Sequence, residues 1–160
     1  MTWEQIDDLQ ALRIAIQSEM DAYQFYKKAL KLFKDQDSQA LLSTLADVEK
    51  KQLKKLEEKY SNLSGKRLLY INLPRRRGFK KPIEPNSTVL QILETAIEQE
   101  RESINFYKKA AQRTIDAKGK QMLEELAEEE KYQIDLLETE YRVRLKNKPS
   151  YNKMKLVEAG

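Results

Sequence analysis

Slid against itself by 81 positions, the 160-residue chain aligns residues 9–60 with 90–141 without a gap, and 21 of the 52 pairs are identical. Unrelated segments of ordinary composition share roughly one position in sixteen. The chain is therefore an internal duplication, and whatever one half folds into, the other must fold into as well. The shared positions include Leu12/Leu93, Ala15-Ile16/Ala96-Ile97, Glu19/Glu100 and Phe25-Tyr26-Lys27-Lys28-Ala29/Phe106-Tyr107-Lys108-Lys109-Ala110. They continue through Leu45-Ala46/Leu126-Ala127, Glu49-Lys50/Glu130-Lys131, Gln52/Gln133 and Tyr60/Tyr141.

Apolar residues recur every three or four positions over about 4–34 and 38–60, and again over about 88–115 and 117–146. That period is helical. Asp35-Gln36-Asp37-Ser38 breaks the first pair, Lys118-Gly119-Lys120 marks the turn of the second, and Asn86-Ser87-Thr88 offers an N-cap to the third helix. Each repeat is thus a helical hairpin, and two hairpins in tandem bury their apolar stripes as an all-α four-helix bundle. The organisation read from the sequence is one domain over 1–148: repeat 1 over about 4–60, a connector over 61–87, repeat 2 over about 88–146, then a tail, 149–160. The connector holds Pro74, Pro82 and Pro85. It is too long for a tight turn and suits a crossover running the length of the bundle. Within it, Leu68-Leu69-Tyr70-Ile71 is expected to pack on the bundle or form a short strand.

Forty per cent of the residues are hydrophobic and 35% charged, a balance that supports a packed helical core. Neither Cys nor His occurs. Their absence excludes disulfides, iron–sulfur clusters, thiol nucleophiles, Ser-His-Asp triads and every imidazole metal site. The opening MTWEQIDDLQ is no signal peptide, and no window is apolar enough to span a membrane, so a cytoplasmic protein is expected. The connector carries six net positive charges and residues 142–160 five; against +4 overall, the helices are left at −7.

On the buried stripes, six polar residues break the pattern. Glu19 interrupts Leu12, Ile16, Ala22 and Tyr26 on the first helix, and Glu100 does the same on the third. Glu49 with Gln52, and Glu130 with Gln133, interrupt the second and fourth. One carboxylate per helix points toward one bundle axis at similar depth, and each costs several kcal/mol to bury unpaired. No Lys or Arg shares those stripes. A pair of divalent cations would neutralise four carboxylates. In the other reading the core is metal-free, and Gln52, Gln133, Tyr26 and Tyr107 hydrogen-bond the carboxyl groups.

The motif Glu19-x2-Ala22-x2-Phe25-Tyr26 with Leu45-Ala46-x2-Glu49-x2-Gln52 recurs as Glu100-x5-Phe106-Tyr107 with Leu126-Ala127-x2-Glu130-x2-Gln133. It resembles the ferritin-like di-iron carboxylate superfamily, specifically its rubrerythrin-like branch, over about 9–141. The resemblance implies a ferritin-like bundle and a two-iron site held by a Glu from the first and third helices and a Glu-x2-His pair from the second and fourth. Carried over, the metal residues are Glu19, Glu49, Gln52, Glu100, Glu130 and Gln133, with Tyr26 and Tyr107 at the aromatic positions beside the metals. Both His positions are Gln here, and the further Glu of some relatives falls on Ser103. Iron is the metal the resemblance implies, whereas all-oxygen ligands lean toward Mn, Mg or Ca. The implied chemistry is an oxidoreductase acting on O2, H2O2 or Fe(II), served by an external electron donor and built as a homodimer. Against it stands a non-catalytic bundle, a scaffold or regulatory protein that has lost its irons.

Other features carry less. Tyr60 and Tyr141 read as packing, and Trp3 as an N-terminal anchor. The run Arg75-Arg76-Arg77-Gly78-Phe79-Lys80-Lys81 reads as a solvated loop; an anion- or nucleic-acid-binding role for 66–81 is the weaker alternative, since the helices are acidic.

Overall fold

The computed structural model describes residues 2–69, 79 and 81–148. A short 3-10 turn, η1 (Trp3–Gln5), precedes four helices: α1 (Asp8–Leu30), α2 (Gln36–Ser64), α3 (Val89–Arg113) and α4 (Ala117–Lys146). No strand occurs among the described residues. Within that stretch where a strand was an alternative, Leu68 packs into the core and Leu69 is exposed. Tyr70 and Ile71, most of the basic run at 75–81 and the tail 149–160 lie outside the described residues.

The helix starts repeat as faithfully as the cores do. Asp7 and Thr88, equivalent in the duplication, each cap a helix through a reciprocal pair of bonds with Gln10 and Gln91. Asp35 and Asp116, also equivalent, accept from the backbone N–H groups of Ser38 and Gly119 at the starts of α2 and α4. These caps move the expected boundaries. α1 starts at Asp8 rather than about residue 4, because Asp7 is held extended by its capping bonds. The break expected at 35–38 lies instead over 31–35: α1 ends at Leu30 rather than about residue 34, and Gln36–Ser38 are already helical. Gly119, expected at a turn, lies instead in the first turn of α4 and is buried. A Cβ there would stand 2.1 Å from the Ile6 carbonyl oxygen. Glycine is required for that close approach rather than for chain reversal.

α1 packs along α2 and α3 along α4, and the hairpins meet chiefly through α1 and α4. The core divides into two clusters. One joins Leu12, Ile16, Leu53, Leu56, Tyr107 and Leu123; the other joins Ala22, Tyr26, Leu42, Leu45, Leu93 and Leu137. α2 therefore ends at the first cluster while α3 begins at the second, so the connection between them spans the length of the bundle. Leu68 marks its departure and Phe79, stacked on Phe25 at 4.3 Å, its arrival.

The N-terminal segment is tied across the bundle's first end. The Thr114 hydroxyl donates to the Ile6 carbonyl at 2.7 Å, and Ile115 N–H donates to the Glu4 carbonyl at 3.2 Å. Trp3 lies 5.0 Å from Phe106, beneath the Arg113 guanidinium. That is the anchoring role expected of it.

Candidate metal centre

Between the two apolar clusters runs a layer of carboxylates. Glu19 falls between Ile16 and Ala22, Glu49 between Ala46 and Leu53, Glu100 between Ile97 and Tyr107, and Glu130 between Ala127 and Leu137. All four are 3–5% exposed. The helical period alone brings them there: each occupies an inward position of an amphipathic helix whose neighbours one turn away are core residues.

The carboxyl groups meet in pairs. Glu19 lies within hydrogen-bonding reach of both Glu49 and Glu130, and Glu100 within reach of Glu130. Burial raises Glu19 well above the ordinary carboxylate range, and the like charges of Glu49 and Glu130 raise it further. Glu100 is raised by the same desolvation, then by its contact with Glu130. Burial pushes Glu49 up to about 7, against the lowering effect of its bond from Glu19. At neutral pH such a layer holds protons unless a cation replaces them.

Tyr26 and Tyr107 bracket the layer from opposite sides, one in each apolar cluster, and both are 1% exposed. Burial raises both phenols well above their usual range, and the charges of the carboxylates, Glu49 foremost for Tyr26 and Glu130 for Tyr107, raise them further. They stay neutral donors. The two glutamines part company. Gln133 is 7% exposed, whereas Gln52 is half-buried. Sequence periodicity puts both on the buried side; Gln133 is buried there and Gln52 only in part.

Several buried polar atoms have no hydrogen-bond partner: Oε2 of Glu19, Glu49 and Glu130, Oε1 of Gln133 and the hydroxyl of Tyr107. Four are oxygen acceptors in one water-excluded layer, a donor set that suits a hard cation. No three acidic residues converge on one point among the described residues. As it stands, the layer offers carboxylate pairs plus the Gln133 amide oxygen. The described ion pairs, such as Lys59–Glu125 and Lys81–Glu98, lie at the surface and leave the layer unneutralised.

Sequence reasoning missed two neighbouring contacts. The Arg13 guanidinium donates to the Tyr60 hydroxyl at 2.7 Å, and at the equivalent positions the Tyr141 hydroxyl donates to Glu94 Oε1 at 2.9 Å. Arg13 and Glu94 are a charge-reversed pair within the duplication, and that reversal was the available signal. Both tyrosines therefore do more than pack.

No helix among the described residues is long and apolar enough to cross a membrane. No curated protein matches the chain. Among solved structures, a hypothetical protein from Pyrococcus furiosus is 23% identical over 87% of this chain and 90% of its own, with a TM-score of 0.58. CopM in its Cu(II)-bound form is 8% identical over 85% of this chain and 96% of its own, with a TM-score of 0.55. In its Ag-bound form the values are 11%, 86%, 97% and 0.52. At such identities the likeness is one of fold. The rubrerythrin family model matches residues 10–141. With its duplicated hairpins, long crossover and mid-bundle glutamates, the chain belongs to the rubrerythrin family.

Proposed function

We propose that this protein binds a pair of divalent cations in the carboxylate layer, through Glu19, Glu49, Glu100 and Glu130 with the amide oxygen of Gln133, and acts as an oxidoreductase on O2, H2O2 or Fe(II). The observation that carries the reading is the set of orphaned buried acceptor oxygens on Glu19, Glu49, Glu130 and Gln133. An unpaired buried acceptor is costly, and four in one layer are compensated together by bound positive charge. When bound, a redox-active pair such as iron or manganese supplies electron exchange with an oxygen substrate.

The chain's own residues do the rest. The four carboxylates hold positive charge and exchange it for protons. Tyr26 and Tyr107, kept neutral by burial, each keep a proton beside the layer, ready to donate a hydrogen bond to an oxygen anion. The apolar clusters on both sides exclude water. Electrons come from a donor outside this bundle. Glutamine in place of histidine leaves an all-oxygen donor set, which favours manganese over softer ions.

A second reading, a non-catalytic bundle that has lost its metals, draws on one observation: no three acidic residues converge among the described residues. Elemental analysis separates the two. Protein purified without chelator and exposed anaerobically to Fe(II) or Mn(II) should retain close to two equivalents per chain and lose them in Glu19→Ala/Glu100→Ala. No retained metal at saturating concentrations, with that variant more stable than the parent, would overturn the proposal.

A further inference from the structure

The carboxylate layer is built by a duplication, so each group has an equivalent that serves as its internal control. Glu19, Glu130, Gln133 and Tyr107 form one half; their equivalents Glu100, Glu49, Gln52 and Tyr26 form the other. The halves differ. In the first, Glu19, Glu130 and Gln133 each carry a buried polar atom without a partner, and the Tyr107 hydroxyl meets only Ser18. In the second only Glu49 carries one, and Gln52 is partly open to solvent. The surroundings of the two halves differ in the sequence as well. Ser18 and Ser103 face each other across the hairpins, hydroxyl to hydroxyl at 3.4 Å, and Ser18 stands beside Tyr107. Their equivalents are Gln99 and Ala22, which cannot build the same pair.

From this asymmetry we infer that the two halves bind divalent cations unequally, and that a hard cation of the Mn(II) class fills the Glu19–Glu130–Gln133 half first. The inference rests on the metal-binding reading above. Acceptors already stripped of water give up no solvent when a cation arrives, and exchange only protons for it. In the other half, the half-buried Gln52 must first give up solvent. Gln133 is the discriminating ligand and Gln52 a bystander to the first binding step. Two residues that the sequence presents as equivalent thus have different jobs.

The test is a Mn(II) titration of chelator-stripped protein, followed by calorimetry and by the EPR signal of free Mn(II), on the parent, Gln133→Leu and Gln52→Leu. The parent should bind in two unequal steps. Gln133→Leu should weaken the first step by about tenfold or more, as loss of a metal-orienting group does, and Gln52→Leu should leave that step unchanged. Equal steps in the parent, or equal weakening by the two substitutions, would overturn the inequality while leaving metal binding intact. A parent that binds no Mn(II) overturns the metal-binding reading itself. Circular dichroism reports whether each variant folds, and if Gln133→Leu does not, Gln133→Met keeps the side-chain length, removes the oxygen and carries the same comparison.

Discussion

Glu19 on α1 and Glu130 on α4 bring their carboxyl groups within hydrogen-bonding reach across the contact between the two hairpins. Neither hairpin contains this contact by itself; it exists only when the two halves close. Glu19 also reaches Glu49 within its own hairpin, and Glu130 also reaches Glu100 within its own. The four carboxyls form a chain whose central link is the inter-hairpin one. Proton or metal content of the layer is therefore coupled to closure of the bundle, and a carboxyl that ionises there without a cation pushes the hairpins apart.

That coupling fixes the sign of the pH dependence. Metal-free, the folded chain keeps protons on Glu49 up to about pH 7 and on Glu19 and Glu100 well above the ordinary range, whereas the unfolded chain releases them near 4.5. Between those values the unfolded state binds fewer protons, so stability is full below 4.5 and falls as pH rises. Glu49 alone accounts for a loss on the order of 3 kcal/mol. Urea denaturation of chelator-treated protein should give midpoints that fall steadily from pH 4.5 to 7 and beyond. Excess Mn(II) should flatten or reverse the trend, because the cation competes with protons for the same oxygens. A metal-free midpoint that rises with pH would contradict it.

Replacing charge while keeping shape separates the cost of the layer from its use. Glu19→Gln/Glu100→Gln retains volume and hydrogen-bonding capacity but removes two ionisable groups that burial disfavours. At pH 8 the metal-free variant should be more stable than the parent by about 1 kcal/mol or more, roughly 2–4 °C in melting temperature. The same variant should gain nothing from added Mn(II). A destabilised variant that still responds to metal would place the metal elsewhere.

The bundle and its carboxylate layer were legible because both are written in single-helix periodicity, and the duplication wrote them twice. Glu19 among Ile16, Ala22 and Tyr26 is visible as an intruder on a stripe without knowledge of any neighbour. Depth and partners are not visible that way. Gln52 and Gln133 share a face and a spacing, and only the packing of other helices leaves one half-buried and the other buried. Arg13 with Tyr60, and Thr114 with Ile6, join residues 47 and 108 positions apart. Periodicity carries no information over such distances. Gly119 misled for the same reason: the backbone that excludes a side chain there belongs to Ile6, at the far end of the sequence.

Gly119 gives a prediction free of metal. In Gly119→Ala the new methyl meets the Ile6 carbonyl oxygen at 2.1 Å and the Asp7 Cα at 3.0 Å, both backbone atoms beside the α1 cap. The N-terminal segment must move away from α4, loosening its bonds to Thr114 and Ile115. The expected loss is about 2–3 kcal/mol in denaturant unfolding, with faster amide exchange at Ile115 and no change in metal stoichiometry. Stability equal to the parent would mean that the first turn of α4 does not pack against Ile6.

Tyr107 offers the sharpest contrast between the empty and the loaded layer. Removing a buried phenol hydroxyl ordinarily costs a hydrogen bond, but this hydroxyl makes no well-formed bond and meets only the Ser18 hydroxyl, which Ser103 shares. Tyr107→Phe should therefore stabilise the metal-free protein by about 1 kcal/mol. Once cations hold the carboxylates ionised, the same hydroxyl has charged acceptors beside it, Glu130 foremost, and a charge-assisted bond becomes available. In Mn(II)-loaded protein the substitution should then destabilise, and peroxide consumption, where present, should fall. Denaturation of parent and variant in both states, four curves at one pH, reads the reversal directly. A loss of stability in both states would mean the hydroxyl is bonded without metal, and its place beside the layer would then be structural only.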